Sequence, residues 1–178
     1  MADVFSVEGL VQSIRLAANM DDPEAAIREV LVETVKNPDA ILAATSDEDG
    51  DETMYFEDDK VSIWRCRFHP KIVMPPHEHC LKVLIGVYSG GEKSILYKRT
   101  EDGLSEAGSV TGHAGEVITL GKAAIHAVTT KDDKPSDAFH VYLGPLMQLE
   151  RDLYDWESGK AVAFTLENFE AMKRSVAQ

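Results

Sequence analysis

Two imidazoles stand two residues apart in Pro75-Pro76-His77-Glu78-His79, a spacing that can chelate a metal. On an extended strand, positions i and i+2 face the same way, about 7 Å apart, within reach of a single ion. The prolines before them fix the approach of the chain. Downstream, Gly115-Glu-Val-Ile-Thr-Leu-Gly121-Lys-Ala-Ala-Ile-His126 reads as a strand and a tight turn that bring a third imidazole to the start of the next strand. Phe139-His140-Val141-Tyr142 repeats the two-residue spacing, with an imidazole and a phenol of equal parity. Three neutral imidazoles leave a divalent metal its full charge and open positions on one face, where an anionic chelating ligand fits.

The other reactive side chains read more plainly. His69 precedes Pro70 at a strand end, and His113 sits between glycine and alanine in an expected turn, so both belong on the surface. Cys80 follows His79 and must point to the opposite face, away from any metal. Cys66 reads as a core thiol, and Trp64, Phe68 and Trp156 as packing residues. Glu78 falls on the outer face between the paired histidines, and Glu92 and Glu116 offer no basis for a catalytic role. Two cysteines supply neither a disulfide framework nor a four-cysteine zinc site, which points to a reducing compartment.

The elements that must hold these residues follow from length and patterning. At 178 residues the chain fits one domain, spanning residues 1–178, and 44% hydrophobic with 28% charged residues describes a globular chain. A net charge of −13 disfavours nucleic acid and anionic lipid as partners. The amino terminus lacks a basic, apolar leader and no window is apolar enough to span a bilayer, so the expected setting is cytoplasmic. Residues 5–37 read as two helices, one with Leu10, Val11 and Ile14 on its apolar face. The other is opened by Asp22-Pro23, carries Ile27, Val30, Leu31 and Val35, and is ended by Asn37-Pro38. The acidic stretch Ser46–Glu52 reads as a solvated turn and not a calcium loop. Residues 54–145 then break into short alternating runs separated by turn signals, the texture of an all-β sandwich or barrel. Residues 146–178, with a short final helix over 166–176, read as a cover for that core.

The glycine and histidine spacing resembles the cupin superfamily, whose first motif carries His-x-His and a later glycine. Its second motif carries glycine, a proline turn and one histidine, with Gly121 standing here where proline is usual. The resemblance implies a double-stranded β-helix barrel over residues 54–145. Where most cupins place a glutamate ligand, this chain has Val83 and Leu84. The run from His77 through Cys80, Ile85, Gly86, Val87 and Gly90 to Glu92 is similar to bacterial thiol dioxygenases of the cysteine dioxygenase and mercaptopropionate dioxygenase type. That likeness implies Fe(II) on His77, His79 and His126, with nickel, zinc or manganese as metals the site also accepts. It implies that His140 and Tyr142 line the pocket as catalytic residues. The family's serine partner of that histidine is Ala138 here, and its carboxylate-anchoring arginine has no counterpart over residues 50–56. Arg65 or Arg67 would serve only if one of them faces inward.

The expected function is an iron-dependent dioxygenase of the cupin fold acting on a small thiol or a comparable chelating molecule. The expected partners are that substrate and dioxygen, with no nucleic acid and no membrane; a homodimer is compatible with the sequence. Two other classes use the same residues: a non-catalytic cupin that binds a metal or ligand, and an isomerase or hydrolase with another divalent ion as Lewis acid.

Overall fold

A computed structural model describes residues 5–46 and 50–175. Asp47, Glu48 and Asp49 of the acidic turn, and residue 176 of the expected last helix, lie outside the described residues. Helix α1 (Val7–Ala17) opens with Ser6, whose hydroxyl accepts from the Gly9 amide at 3.1 Å. Asp22 caps α2 (Pro23–Thr34) through the Ala25 amide at 3.1 Å. A third helix, α3 (Pro38–Ala44), was not expected. Asn37-Pro38 ends α2, but proline lacks only a hydrogen that a first-turn residue does not use, so the same dipeptide also starts a helix.

The strands are β1 (Glu52–Glu57), β2 (Ser62–Phe68), β3 (Ile72–Val73), β4 (His77–Glu78), β5 (Val83–Ser89), β6 (Gly91–Thr100) and β7 (Gly103–His113). They continue with β8 (Val117–Leu120), β9 (Ile125–Thr130), β10 (Ser136–Tyr142), β11 (Asp152–Tyr154) and β12 (Ala161–Ala163). Helix α4 (Leu166–Met172) and β13 (Arg174–Ser175), which pairs with β3, close the described chain. The pairings nest: β6 with β7, β5 with β8, β4 with β9, and β2 with β10, all antiparallel. One long hairpin has therefore been wound on itself, and its two arms fall alternately into two facing sheets, β1-β2-β10-β5-β8 and β12-β11-β4-β9-β6-β7. This is the double-stranded β-helix of the cupin fold.

Alternation along each strand sorts its residues between two cores. Outward-facing Ile63, Leu84, Tyr88, Phe139 and Val141 meet the helices, where Ile14, Ile27, Leu31 and Ile41 are fully buried. Inward-facing Val83, Ile85, Val87, Ala138 and Tyr142 fill the barrel. Gly86 on β5 makes the helix contact possible, since a side chain there would meet Val35 Cγ1 at 3.1 Å. Gly90 turns β5 into β6 at φ +66, where a Cβ would strike the Pro135 carbonyl oxygen at 2.1 Å.

Strand β7 was missing from the sequence reading, and His113 is its exposed last residue instead of a turn residue. Its sequence, Gly-Leu-Ser-Glu-Ala-Gly-Ser-Val-Thr-Gly-His, is mostly small and polar, so it carries no alternation to read; the β6 backbone holds it in place. Arg65 and Arg67 do not face inward. Arg65 is buried on the helix side and donates to the Gly50 carbonyl at 3.2 Å, while Arg67 pairs with Asp137 at 2.7 Å. Among the described residues, no helix is long and apolar enough to cross a membrane.

Because α2 buries Leu31 completely against β5, Leu31→Ala should lower folding stability by about 2–5 kcal/mol, the usual cost of such a cavity. Urea denaturation measures it; a loss below about 1 kcal/mol would show that the helices are not part of the cooperative core.

Candidate functional site

The site sits at one end of the barrel interior, and strand pairing builds it. β4 and β9 are antiparallel neighbours in a register that sets His77 directly opposite His126, with ring centroids 4.5 Å apart. His79 lies one residue past β4, and the chain then leaves the strand through Cys80 in the left-handed region at φ +56. Cys80 is exposed, as its parity requires. The His79 ring is 4.8 Å from His77 and 4.9 Å from His126. All three histidines are buried, and one nitrogen of each lies within 4.8 Å of the others.

The hydrogen bonds fix how the rings are presented. His77 Nδ1–H donates to the Pro75 carbonyl at 2.8 Å, so its Nε2 lone pair faces the cavity, 3.0 Å from Nε2 of His79. His126 Nδ1 is 3.0 Å from Ser94 Oγ, and its Nε2 is buried with no hydrogen-bond partner among the described residues. A buried nitrogen without a partner costs free energy unless something binds it. Burial pushes His77 down to about 4 and holds His79 and His126 well below the usual imidazole range, each then lowered further by neighbouring positive charge. Uncharged imidazoles with converging lone pairs are what a divalent metal needs from its ligands. The residues present therefore fit a divalent ion.

His140 and Tyr142 face into the same cavity from β10. The Tyr142 ring is 4.8 Å from that of His79, and its hydroxyl is 3.3 Å from His140 Nδ1. The position of Ala138, where the resemblance places a serine, is filled by a small core contact. His140 is oriented instead by Glu92, a residue the sequence reading set aside. Glu92 is fully buried on β6, and its Oε2 lies 3.0 Å from His140 Nε2. Ser94 shares its parity, so one strand supports both His126 and His140. The signal in the sequence was that parity, two residues before a serine on a strand of the barrel.

Burial opposes a charged His140, yet Cys66, Glu92 and Tyr142 around the ring together hold it well above the ordinary histidine value. Glu92 is the charged group among them, and its other oxygen has no partner among the described residues, so the carboxylate is balanced by His140 alone. An imidazolium donates from both nitrogens. Its Nδ1–H then takes the Tyr142 oxygen as acceptor and leaves the phenol's own hydrogen free to donate into the cavity. Burial pushes the Tyr142 phenol up, so it keeps that hydrogen.

The cavity has a volume of about 430 Å³. Trp64, Cys66 and Phe68 from β2 form part of its wall, and burial pushes the Cys66 thiol up. Arg151, just before β11, also lines it, a residue without a motif to mark it. Its guanidinium lies 3.5 Å from the centroid of the Phe164 ring.

No protein-family model matches the chain, and no curated protein matches its sequence. Among solved structures, a double-stranded β-helix protein from Klebsiella pneumoniae is 15% identical, with 60% of this chain and 86% of that chain covered, at a TM-score of 0.44. A protein from Bacillus halodurans is 13% identical over 59% of this chain and 78% of its own, at 0.49. Oxalate decarboxylase from Bacillus subtilis, whose structure concerns Mn(II) centres, is 15% identical over 56% of this chain and 27% of its own, at 0.43.

His126→Ala should abolish retention of a divalent metal while the circular dichroism of the barrel stays unchanged, because the ring lines a cavity and not a packed layer; undiminished metal content would contradict the assignment. The Glu92–His140 pair also has a pH signature. A histidine raised above its unfolded value of about 6.5 contributes stability that is present below that pH and is lost as pH rises through its folded value. The stability gap between the metal-free protein and Glu92→Gln should therefore narrow as pH rises above about 6.5, measured by urea denaturation, and a gap independent of pH would show that His140 is not held charged.

Proposed function

We propose that this chain is an Fe(II)-dependent dioxygenase that oxidises a small chelating substrate, a thiol. The observation that carries the reading is a buried set of three uncharged imidazoles with no carboxylate among them. Bound iron would supply a cation of undiminished charge that attracts a thiolate and activates dioxygen. His77, His79 and His126 would hold it, with Pro75 and Ser94 fixing two of the rings through their far nitrogens.

The remaining residues act on the substrate side. Tyr142 presents a hydroxyl hydrogen next to His79, placed to donate to the substrate or to oxygen. His140 holds the phenol oxygen from behind, and Glu92 holds His140. The wall beside them is largely aromatic and aliphatic, and a lower local polarity strengthens electrostatic contacts of this kind.

Oxygen uptake by the anaerobically iron-loaded protein, offered a panel of small thiols, tests the reading directly. Stoichiometric uptake with one thiol is expected; binding of zinc or manganese with no uptake by the ferrous form would instead favour a Lewis-acid enzyme or a ligand-binding protein. A positioned acid contributes about a hundredfold to ten-thousandfold in rate, so Tyr142→Phe should lower turnover per iron by at least about tenfold with iron content unchanged. Wild-type turnover per iron in that variant would show the phenol to be a packing group.

A further inference from the structure

Two of the three candidate ligands have their far nitrogens held, His77 by the Pro75 carbonyl and His126 by Ser94 Oγ. His79 differs. Among the described residues its ring makes only the 3.0 Å contact with His77 Nε2, and it lies one residue past β4, before the chain turns at Cys80 with φ +56. Neither a strand ladder nor a ring partner therefore sets its direction.

Glu78 stands between His77 and His79, and alternation sends its side chain to the outer face while the two imidazoles point inward. Its carboxylate is tied there. Oε2 accepts from Arg99 Nη2 at 2.7 Å and from the Tyr154 hydroxyl at 3.0 Å. The Arg99 guanidinium also donates to the Tyr154 hydroxyl and lies 5.3 Å from the centroid of that ring, so the three side chains close a triangle. The Arg99 side chain is 62% exposed, but Glu78 is 15% and Tyr154 3% exposed, so water screens these bonds less than it screens an ordinary surface pair.

The triangle joins strands that the ladders alone leave apart. β9 separates β4 from β6 in the sheet, and β6 pairs with β9 as far as Tyr97 opposite Ile125. Arg99 lies beyond that point and reaches past the start of β9 to Glu78. Tyr154 comes from β11 on the other side, where its amide also donates to the Pro76 carbonyl at 2.8 Å. A strand of two residues is thus gripped from both sides at the residue that its two ligands flank. Hydrogen bonds to an ionised carboxylate are the strong kind.

We infer that Arg99, Glu78 and Tyr154 form a positioning clasp on the outer face of the barrel that orients His79, so that the affinity of the site for a divalent metal is set in part from outside the cavity. This rests on the three-histidine metal site of the proposed function and not on its thiol or oxygen chemistry. Residues that orient a ligand without touching the metal change affinity by about tenfold to a hundredfold.

The test is the zinc affinity of metal-free, full-length protein, measured by competition with a chromophoric chelator, together with the visible spectrum of the cobalt(II)-loaded form. Glu78→Ala should raise the zinc dissociation constant at least about tenfold and shift the cobalt bands, because one ring is no longer held. Glu78→Gln, whose amide oxygen still accepts from both donors, should recover most of that affinity. Arg99→Met added to Glu78→Ala should cost little more, since its tie is already gone. Arg99→Met with Tyr154→Phe removes both donors, should match the loss in Glu78→Ala, and replaces that variant if it does not fold. A merely structural role would lower the urea midpoint of the metal-free protein and leave the zinc affinity and the cobalt spectrum of the folded protein unchanged. That result, or losses that simply add in the Glu78→Ala, Arg99→Met double variant, would overturn the inference. A wild-type protein that binds no zinc would overturn it together with the proposed function, whereas the expected affinity losses without oxygen uptake by the ferrous protein with any thiol would overturn the dioxygenase reading alone.

Discussion

The register between β4 and β9 is the constraint on which the site depends. Setting His77 opposite His126 makes one cross-strand pair into two legs of a chelate, and the two-residue step to His79 adds the third. A slip of one residue would turn every one of these rings to the other face. Nothing in a two-residue strand can hold that register alone, so it is held from both sides, by the long β6–β9 pairing and by Leu153 of β11 against His77. The wound hairpin brings these strands together, and the helices on the outer face give the facing sheet a second core.

Burial separates two electrostatic regimes within one cavity. The three clustered imidazoles are pushed toward neutrality because burial penalises their charge and each disfavours charge on the next. His140, equally buried and on β10 in the facing sheet, goes the other way because Cys66 beside it and the buried Glu92 carboxylate across the barrel together outweigh burial. Ligands that must be neutral and a histidine that is charged can therefore sit close together at one pH. Strand β6 arranges much of this, with Ser94 behind one histidine and Glu92 behind the other.

Much of this was legible in the sequence where a short spacing translates directly into geometry. His77 with His79, and His140 with Tyr142, share faces because the pleat has a period of two, and Asp22-Pro23 starts a helix because cap and first-turn proline coincide. Strand β7 was not legible, since its pairing comes from the backbone and its residues are small and polar. Glu92 offered no basis for a role in the sequence, and only the barrel's closure shows that it faces His140. Arg151 belongs to no motif; its place in the cavity follows from the return of the chain after β10 across the barrel mouth, which local patterning does not encode.

The central claim is that one divalent ion is held by His77, His79 and His126. Iron K-edge X-ray absorption on the anaerobically loaded ferrous protein tests it most directly. The account predicts the scattering of three imidazoles at about 2.0–2.2 Å, with further oxygen or nitrogen neighbours completing the shell. A first shell with fewer than three imidazoles, or protein that takes up no iron, would contradict it.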